Sequence, residues 1–269
     1  MRMVAAIFLI GTAVVCLGQT IRRERGLVGY FDMENNVSNR VVGGMNGTKY
    51  GTGTLYTNRY ASKGTYGFYC NSGRYILTGE TNILAGAQEY AVFIRAWRII
   101  FRDRAGLVFA NAQIGLQYPY LGLCDGDTAG HSNAVHTWRG VNTEQSQWPS
   151  PYLAGGWQTH FAQWSGSQKK GLYTLDGKMW SSDSPTIAVA FTNLTAFGLG
   201  VDTRDVTFRA LAGYIDDVMI FNRMLAKPEI EALIYNKPLP IAGNNCSLRN
   251  RFSQHDGRNS QMFSPSTNN

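Results

Sequence analysis

A retaining glycosidase needs two carboxylates about 5 Å apart, which a strand supplies most simply as alternating acids. Glu24, Glu34, Glu80, Glu89, Glu144, Glu229 and Glu231 offer no such alternation. Glu229 and Glu231 are the close pair, and they stand where a helix begins, so the positive end of the helix dipole accounts for them. His131, His136, His160 and His255 have no cysteine or carboxylate at a metal-ligand spacing beside them. His160 is accordingly expected to be a packed or hydrogen-bonded strand residue, and the chain to be non-catalytic. Asp216 and Asp217 are different, because they interrupt a run, 214–221, that is otherwise apolar on both faces of a strand. A carboxylate buried there needs either hydrogen bonds from turn amides or a cation. Asp125-Gly126-Asp127-Thr128 reads as a turn or, alternatively, as a cation loop.

Binding chemistry is better represented than catalytic chemistry. Tyr118, Tyr120, Trp138, Trp148 and Tyr152 lie among glycines, prolines and polar residues. Aromatic rings exposed on such loops stack on sugar rings or anchor a protein partner. These five are the candidate ligand-binding residues. Trp97, Trp157 and Trp180 fall in strand patterns instead and are expected in the core. The net charge of +7 suggests an anionic partner such as a sulfated glycan or a phospholipid. The lysines and arginines are scattered, however, with loose groups only at 22–25 and 249–258, so no nucleic-acid partner is expected. An extracellular glycan, or else a cell-surface or matrix protein, fits best.

The elements that would position these groups are strands. The chain is 44% hydrophobic with 30 glycines, 14 tyrosines and 13 phenylalanines, a composition of short strands and tight turns. From 26 to 220 it alternates apolar runs with Gly, Asn and Asp. Residues 90–101 are apolar at both parities, which predicts a central strand covered on both faces. Asp176-Gly177 between 172–175 and 178–180 predicts a two-residue hairpin turn. At Pro228 the period changes, and Ile230, Leu233 and Ile234 share one face of a short helix ending near Asn236. Residues 238–269 have few branched apolar side chains and read as a disordered tail.

The start reads as an exported leader. Arg2 is followed by an apolar run, 4–17, and small residues at Cys16 and Gly18 predict a signal peptide over 1–18. A run of about 14 apolar residues falls short of the roughly 20 that span a bilayer. Export fits the glycan acceptor triplets at Asn36, Asn46, Asn193 and Asn245. It would leave Cys70, Cys124 and Cys246 in an oxidising compartment. Connectivity is not readable from spacing, and the expectation is a Cys70–Cys124 disulfide with Cys246 free or linking chains.

Four stretches carry a resemblance. Residues 26–32 (Gly-Leu-Val-Gly-Tyr-Phe-Asp) look like an opening strand and 68–76 like a second, glycine-turned element. Trp157-Gln158-Thr159-His160 with the hairpin 172–178, and 213–223 with Leu225 and the Glu229-Ile230 helix start, complete the set. Together they resemble the laminin-G-like jelly-roll family, a branch of the concanavalin A-like lectin and glucanase superfamily that includes pentraxins. The resemblance implies an all-β fold, a two-sheet antiparallel jelly-roll sandwich with one short C-terminal helix, over 19–237. It implies calcium (Ca2+) in some members, which carries Asp32 and Asp216 over as metal ligands, with Asn35 as a further candidate. The fold hosts lectins, adhesion modules and polysaccharide-cleaving enzymes alike. The expected function is a secreted, lectin-like glycan-binding module. The alternatives are an adhesion module for protein or, less favoured by the carboxylates, an enzyme.

Overall fold

The computed structural model describes residues 26–237, apart from 54, 60, 80, 82, 101, 103–104, 112–119, 126–133, 141–144, 150–155, 169 and 184–195. The expected signal peptide and tail lie outside the described residues. In chain order the first strands are β1 (Leu27–Phe31), β2 (Thr48–Tyr50), β3 (Tyr56–Thr57), β4 (Gly67–Cys70), β5 (Tyr75–Leu77) and β6 (Glu89–Ile100). Then come β7 (Gly106–Asn111), β8 (Tyr120–Asp125), β9 (Ala134–Gly140), β10 (Gln145–Pro149) and β11 (Gln158–Ser165). β12 (Lys170–Leu175), β13 (Lys178–Asp183), β14 (Gly198–Leu199), β15 (Ala212–Phe221) and the helix α1 (Lys227–Ile234) follow. The first sheet is ordered β13-β12-β11-β6-β15-β4-β3 with β1 also on β15, and the second β10-β9-β8-β7-β14-β5-β2. This is the two-sheet antiparallel sandwich with one short C-terminal helix that the sequence predicts.

Alternation along β6 shows how the layers form. Tyr90, Val92, Ile94 and Ala96 enter the core between the sheets, where they meet Leu107, Val108, Leu123, Phe197 and Leu199. Ala91 and Phe93 point to the outer face, where Phe161, Met219 and Phe221 join Leu225, Ile230 and Leu233 from α1 and the segment before it. Each such Leu or Phe contributes roughly 1.5–3 kcal/mol by leaving water. The cover is short, since eight residues of helix span only about 12 Å. Beyond it the outward residues of β6 emerge: Arg95 and Trp97 are half-buried and Ile99 is exposed. The expectation of two covered faces therefore holds for the first part of the strand and fails for its end.

Local signals are realised where the backbone requires them. Asp176 and Gly177 both have positive φ, 48° and 90°, and Leu175 pairs with Lys178 across the turn. Glu229 Oε2 accepts the Ala226 N–H at 2.9 Å at the start of α1, and its carboxylate pairs with Arg223 at 2.6 Å. The expected Cys70–Cys124 bridge is not formed. Cys70 is a buried free thiol on β4 in the first sheet and faces the core between the sheets. Cys124 lies on β8 in the second sheet, one residue after the core residue Leu123, so alternation turns it to the other side of that sheet.

Candidate functional site

One edge of β15 is shared between two partners. β4 pairs with 213–215 and β1 with 218–221, while β6 runs along the other edge. In the gap the β6 register shifts between Asp216 and Met219, and Asp217 takes φ 47°. Ser62 and Lys63 lie against the gap. Asp216 Oδ2 accepts the amides of Ser62 and Lys63 at 2.8 and 2.9 Å, and its Oδ1 accepts the Asp217 amide at 2.9 Å. Burial pushes the Asp216 carboxyl up to about 7, against the pull of the Lys63 amide and with the Asp217 charge adding to the rise. Asp217 Oδ1 accepts the Tyr30 hydroxyl at 2.9 Å, and its Oδ2 lies 3.7 Å from Arg95 Nε and 3.8 Å from Lys63 Nζ. Burial raises Asp217 as well, and the Lys63 charge, the Tyr30 hydroxyl and the Arg95 charge oppose it. Burial, then the Asp217 charge, pushes the Tyr30 phenol up.

This donor set does not fit calcium. Asp216, the central expected ligand, has its oxygens turned to three backbone amides. Asp32 is paired with Arg40 at 2.8 Å, and Asn35 sits in a left-handed backbone conformation at φ 56°. Among the described residues no group of three or more His, Cys, Asp or Glu is placed to hold a metal. Of the two readings open for Asp216, the turn-amide one describes this arrangement, which ties the strand edge to the 62–66 segment.

The exposed end of the same outer face carries a row of aromatic rings. Tyr69 on β4 pairs with Tyr214 on β15, and Tyr214 pairs with Trp97 on β6. Trp157 immediately precedes Gln158, which pairs with Ala96, so it falls beside Trp97. Cross-strand partners share a face. Each ring is opposite in parity to a core residue: Phe68, Ile215 and Ala96 point inward. The Tyr69 and Tyr214 rings are 5.2 Å apart and tilted by 43°, and the Trp97 and Trp157 rings meet edge to face at 6.0 Å. All four are half-buried. At a strand spacing of about 4.8 Å the row is roughly 14 Å long. Trp97 and Trp157 were expected in the core; they lie outside it because α1 stops short of them. Trp180 has no described side chain.

The inner face of the first sheet has its own polar group. Arg98 on β6, two residues beyond Ala96, is buried, and its Nη2 donates to Gln158 Oε1 at 2.7 Å. His160 is fully buried, with Nδ1 2.9 Å from the Tyr173 hydroxyl and no partner at Nε2. Burial, and then the Arg98 charge, holds its pKa well below 6.5. It is the packed histidine that the sequence predicts.

Three of the residues expected to bind ligand lie on the neighbouring strands β8, β9 and β10 of the second sheet. Tyr120 opens β8 opposite Gly140, Trp138 lies on β9 opposite Gln145, and Trp148 lies on β10 opposite Val135. These three are strand residues of the second sheet rather than loop residues, and Tyr118 and Tyr152 lie outside the described residues. Asp125 ends β8, and 126–128 are outside the description. Asn46 is exposed, and its Oδ1 accepts the Asn39 amide. Asn36 is half-buried, and its Nδ2, the atom to which a glycan is attached, donates to the Glu34 carbonyl at 2.6 Å. Asn193 and Asn245 lie outside the described residues. No helix among the described residues is long and apolar enough to cross a membrane.

No protein-family model matches the sequence, and no curated protein matches it. Solved structures do. Domain 4 of AbnA, a GH43 extracellular arabinanase from Geobacillus stearothermophilus in complex with arabinotriose, is 17% identical with a TM-score of 0.60. That match covers 77% of this chain and 98% of the domain. Trypanosoma rangeli sialidase in complex with sialic acid is 14% identical with a TM-score of 0.55, over 78% of this chain and 32% of the sialidase. The binding domain of Botulinum Neurotoxin DC in complex with SialylT is 12% identical at 0.52, over 78% of this chain and 51% of that one. At these identities the likeness is one of fold: the chain is a β-sandwich similar to domains of glycoside hydrolases, sialidases and a toxin.

Proposed function

We propose that this chain is a secreted, non-catalytic carbohydrate-binding module of the laminin-G-like kind, and that its binding surface is the aromatic row on the outer face of the first sheet. The observation that carries the reading is the alignment of Tyr69, Tyr214, Trp97 and Trp157 across four neighbouring strands, half-exposed on a rigid sheet. Aromatic rings present an apolar face with polar edges, which suits the apolar faces of sugar rings. The similar arabinanase domain, matched over 98% of its length, holds arabinotriose, which supports the same reading. The non-catalytic part is supported by the employment of the described carboxylates. Glu34 accepts the Thr65 amide, Glu89 the Ser165 hydroxyl and Asp176 the Thr159 amide, while Asp202 pairs with Arg204 and Arg209.

Ile99, exposed at the end of β6 on the same face as Trp97, favours a second reading in which this face docks a cell-surface or matrix protein. A glycan array probed with the purified chain separates the two. Binding to a structurally related set of glycans is expected. An array with no signal, beside saturable binding to glycan-stripped cell-surface protein, supports the second reading and overturns the first.

A further inference from the structure

We infer that the ligand of the aromatic row is an acidic oligosaccharide, held with its carboxylate or sulfate at the Tyr69 end. This deepens the glycan-binding reading above and rests on it. The turn from β4 to β5 gathers two guanidinium groups at that end. Arg74 lies over the Tyr69 ring, with Cζ 5.3 Å from the ring centroid. Arg102, just past β6, donates from Nη1 to Ser72 Oγ at 2.7 Å and from Nη2 to Asn71 Oδ1 at 2.8 Å. Asn71 Nδ2 donates in turn to the Tyr69 hydroxyl at 3.2 Å. Arg102, Asn71, Tyr69 and Arg74 are thus one connected set on the first ring of the row.

The two arginines differ from others in the fold in having no built-in acid. Arg40 pairs with Asp32, Arg95 with Asp217, Arg204 and Arg209 with Asp202, and Arg223 with Glu229. Among the described residues Arg74 and Arg102 pair with no carboxylate. A guanidinium offers five N–H donors in a fork that matches a carboxylate or sulfate, and Arg102 spends two of them on neutral oxygens. Arg74 is also positioned. A Cβ at Gly51, where φ is 99°, would stand 2.7 Å from Arg74 Cγ, and one at Gly53 3.1 Å from its Nη2, so two glycines let the side chain lie against the 51–53 segment. Neutral sugar rings would lie along Tyr214, Trp97 and Trp157, with the acid on the arginines.

The test is calorimetric titration of the full chain with three hexasaccharides of one backbone and one non-sugar acid. The sugars are unsulfated chondroitin (carboxylate only), chondroitin 4-sulfate (carboxylate and sulfate) and carboxyl-reduced unsulfated chondroitin (neutral); the fourth probe is polyglutamate. The acidic sugars are expected to bind at least about tenfold more tightly than the neutral one, with a preference that falls as salt rises. The tighter of the two acidic sugars identifies the group that is read. Arg74→Gln and Arg102→Gln should each reduce the preference and together abolish it, so that the acidic and neutral sugars bind the double variant alike. Equal affinity for acidic and neutral sugars overturns the acidic assignment and leaves glycan binding standing. A preference that survives the double variant places the acid elsewhere and overturns it too. If no sugar binds, or polyglutamate binds as tightly as the sugars, the glycan-binding reading falls and this inference falls with it.

Discussion

His160 makes the stability of the sandwich depend on pH in a calculable way. In the fold its ring is fully buried, and burial and then the Arg98 charge hold its pKa well below 6.5. In the unfolded chain it titrates near 6.5. Above that pH the ring is neutral in both states and contributes nothing to the pH dependence. Below it the unfolded chain takes up a proton that the folded chain does not, so stability is lost as pH falls, at about 1.4 kcal/mol per unit. From about pH 8 to about pH 4.5 the loss grows for as long as the folded ring stays neutral, to at most roughly 3 kcal/mol. Urea unfolding of the intact chain and of His160→Gln at those two values measures it. The variant is expected to lose less between them than the intact chain, by up to about 3 kcal/mol, whatever its own stability at neutral pH. Carboxylates titrate in both proteins and cancel in the comparison. Equal losses would refute the reasoning, because they require His160 to be protonated inside the fold.

Three further outcomes follow from the packing. Asp217→Ala removes the counter-charge of the half-buried Arg95 and the acceptor of the Tyr30 hydroxyl and should cost about 3 kcal/mol or more by urea unfolding, whereas Asp217→Asn, which also tolerates the φ of 47°, should cost less. Gly200→Ala, at φ 74° with its added methyl driven into Cys70 Sγ, should destabilise by roughly 2 kcal/mol, and Cys70→Ala in the same chain should restore part of that. Melting curves with saturating calcium and with chelator should coincide, because the Asp216 oxygens already hold three amides; a rise in midpoint with calcium would contradict this.

Much of the fold was legible because the signals were local. Asp176-Gly177 specifies its own turn, Pro228 and Glu229 specify a helix start, and a pair of acids in an apolar strand announces a buried polar contact at Asp216. The aromatic row was not legible, because it exists only in the register of four strands far apart in the sequence. Trp97 looked like core since 90–101 is apolar at both parities. That pattern does not encode how far the covering helix reaches, and α1 covers Phe93 but not Trp97. The cysteine pair failed for a related reason: two buried thiols in one sandwich can sit on different sides of a sheet, and only the core position of Leu123 shows that Cys124 does. Tyr120, Trp138 and Trp148 read as loop residues because the glycines, prolines and polar residues around them masked the strands β8, β9 and β10.

A sugar site on the outer face of the first sheet depends on Trp97 and is indifferent to the second sheet. The direct test is a calorimetric titration of the strongest array glycan into three proteins: the intact chain, Trp97→Ala and Trp148→Ala. Trp97 is half-exposed on the row and Trp148 belongs to β10 of the other sheet. Trp97→Ala, which also loses the ring contact with Trp157, is expected to weaken binding at least about tenfold while remaining folded at the titration temperature, and Trp148→Ala to bind like the intact chain. Full affinity in Trp97→Ala with loss in Trp148→Ala would contradict it and move the site to the second sheet.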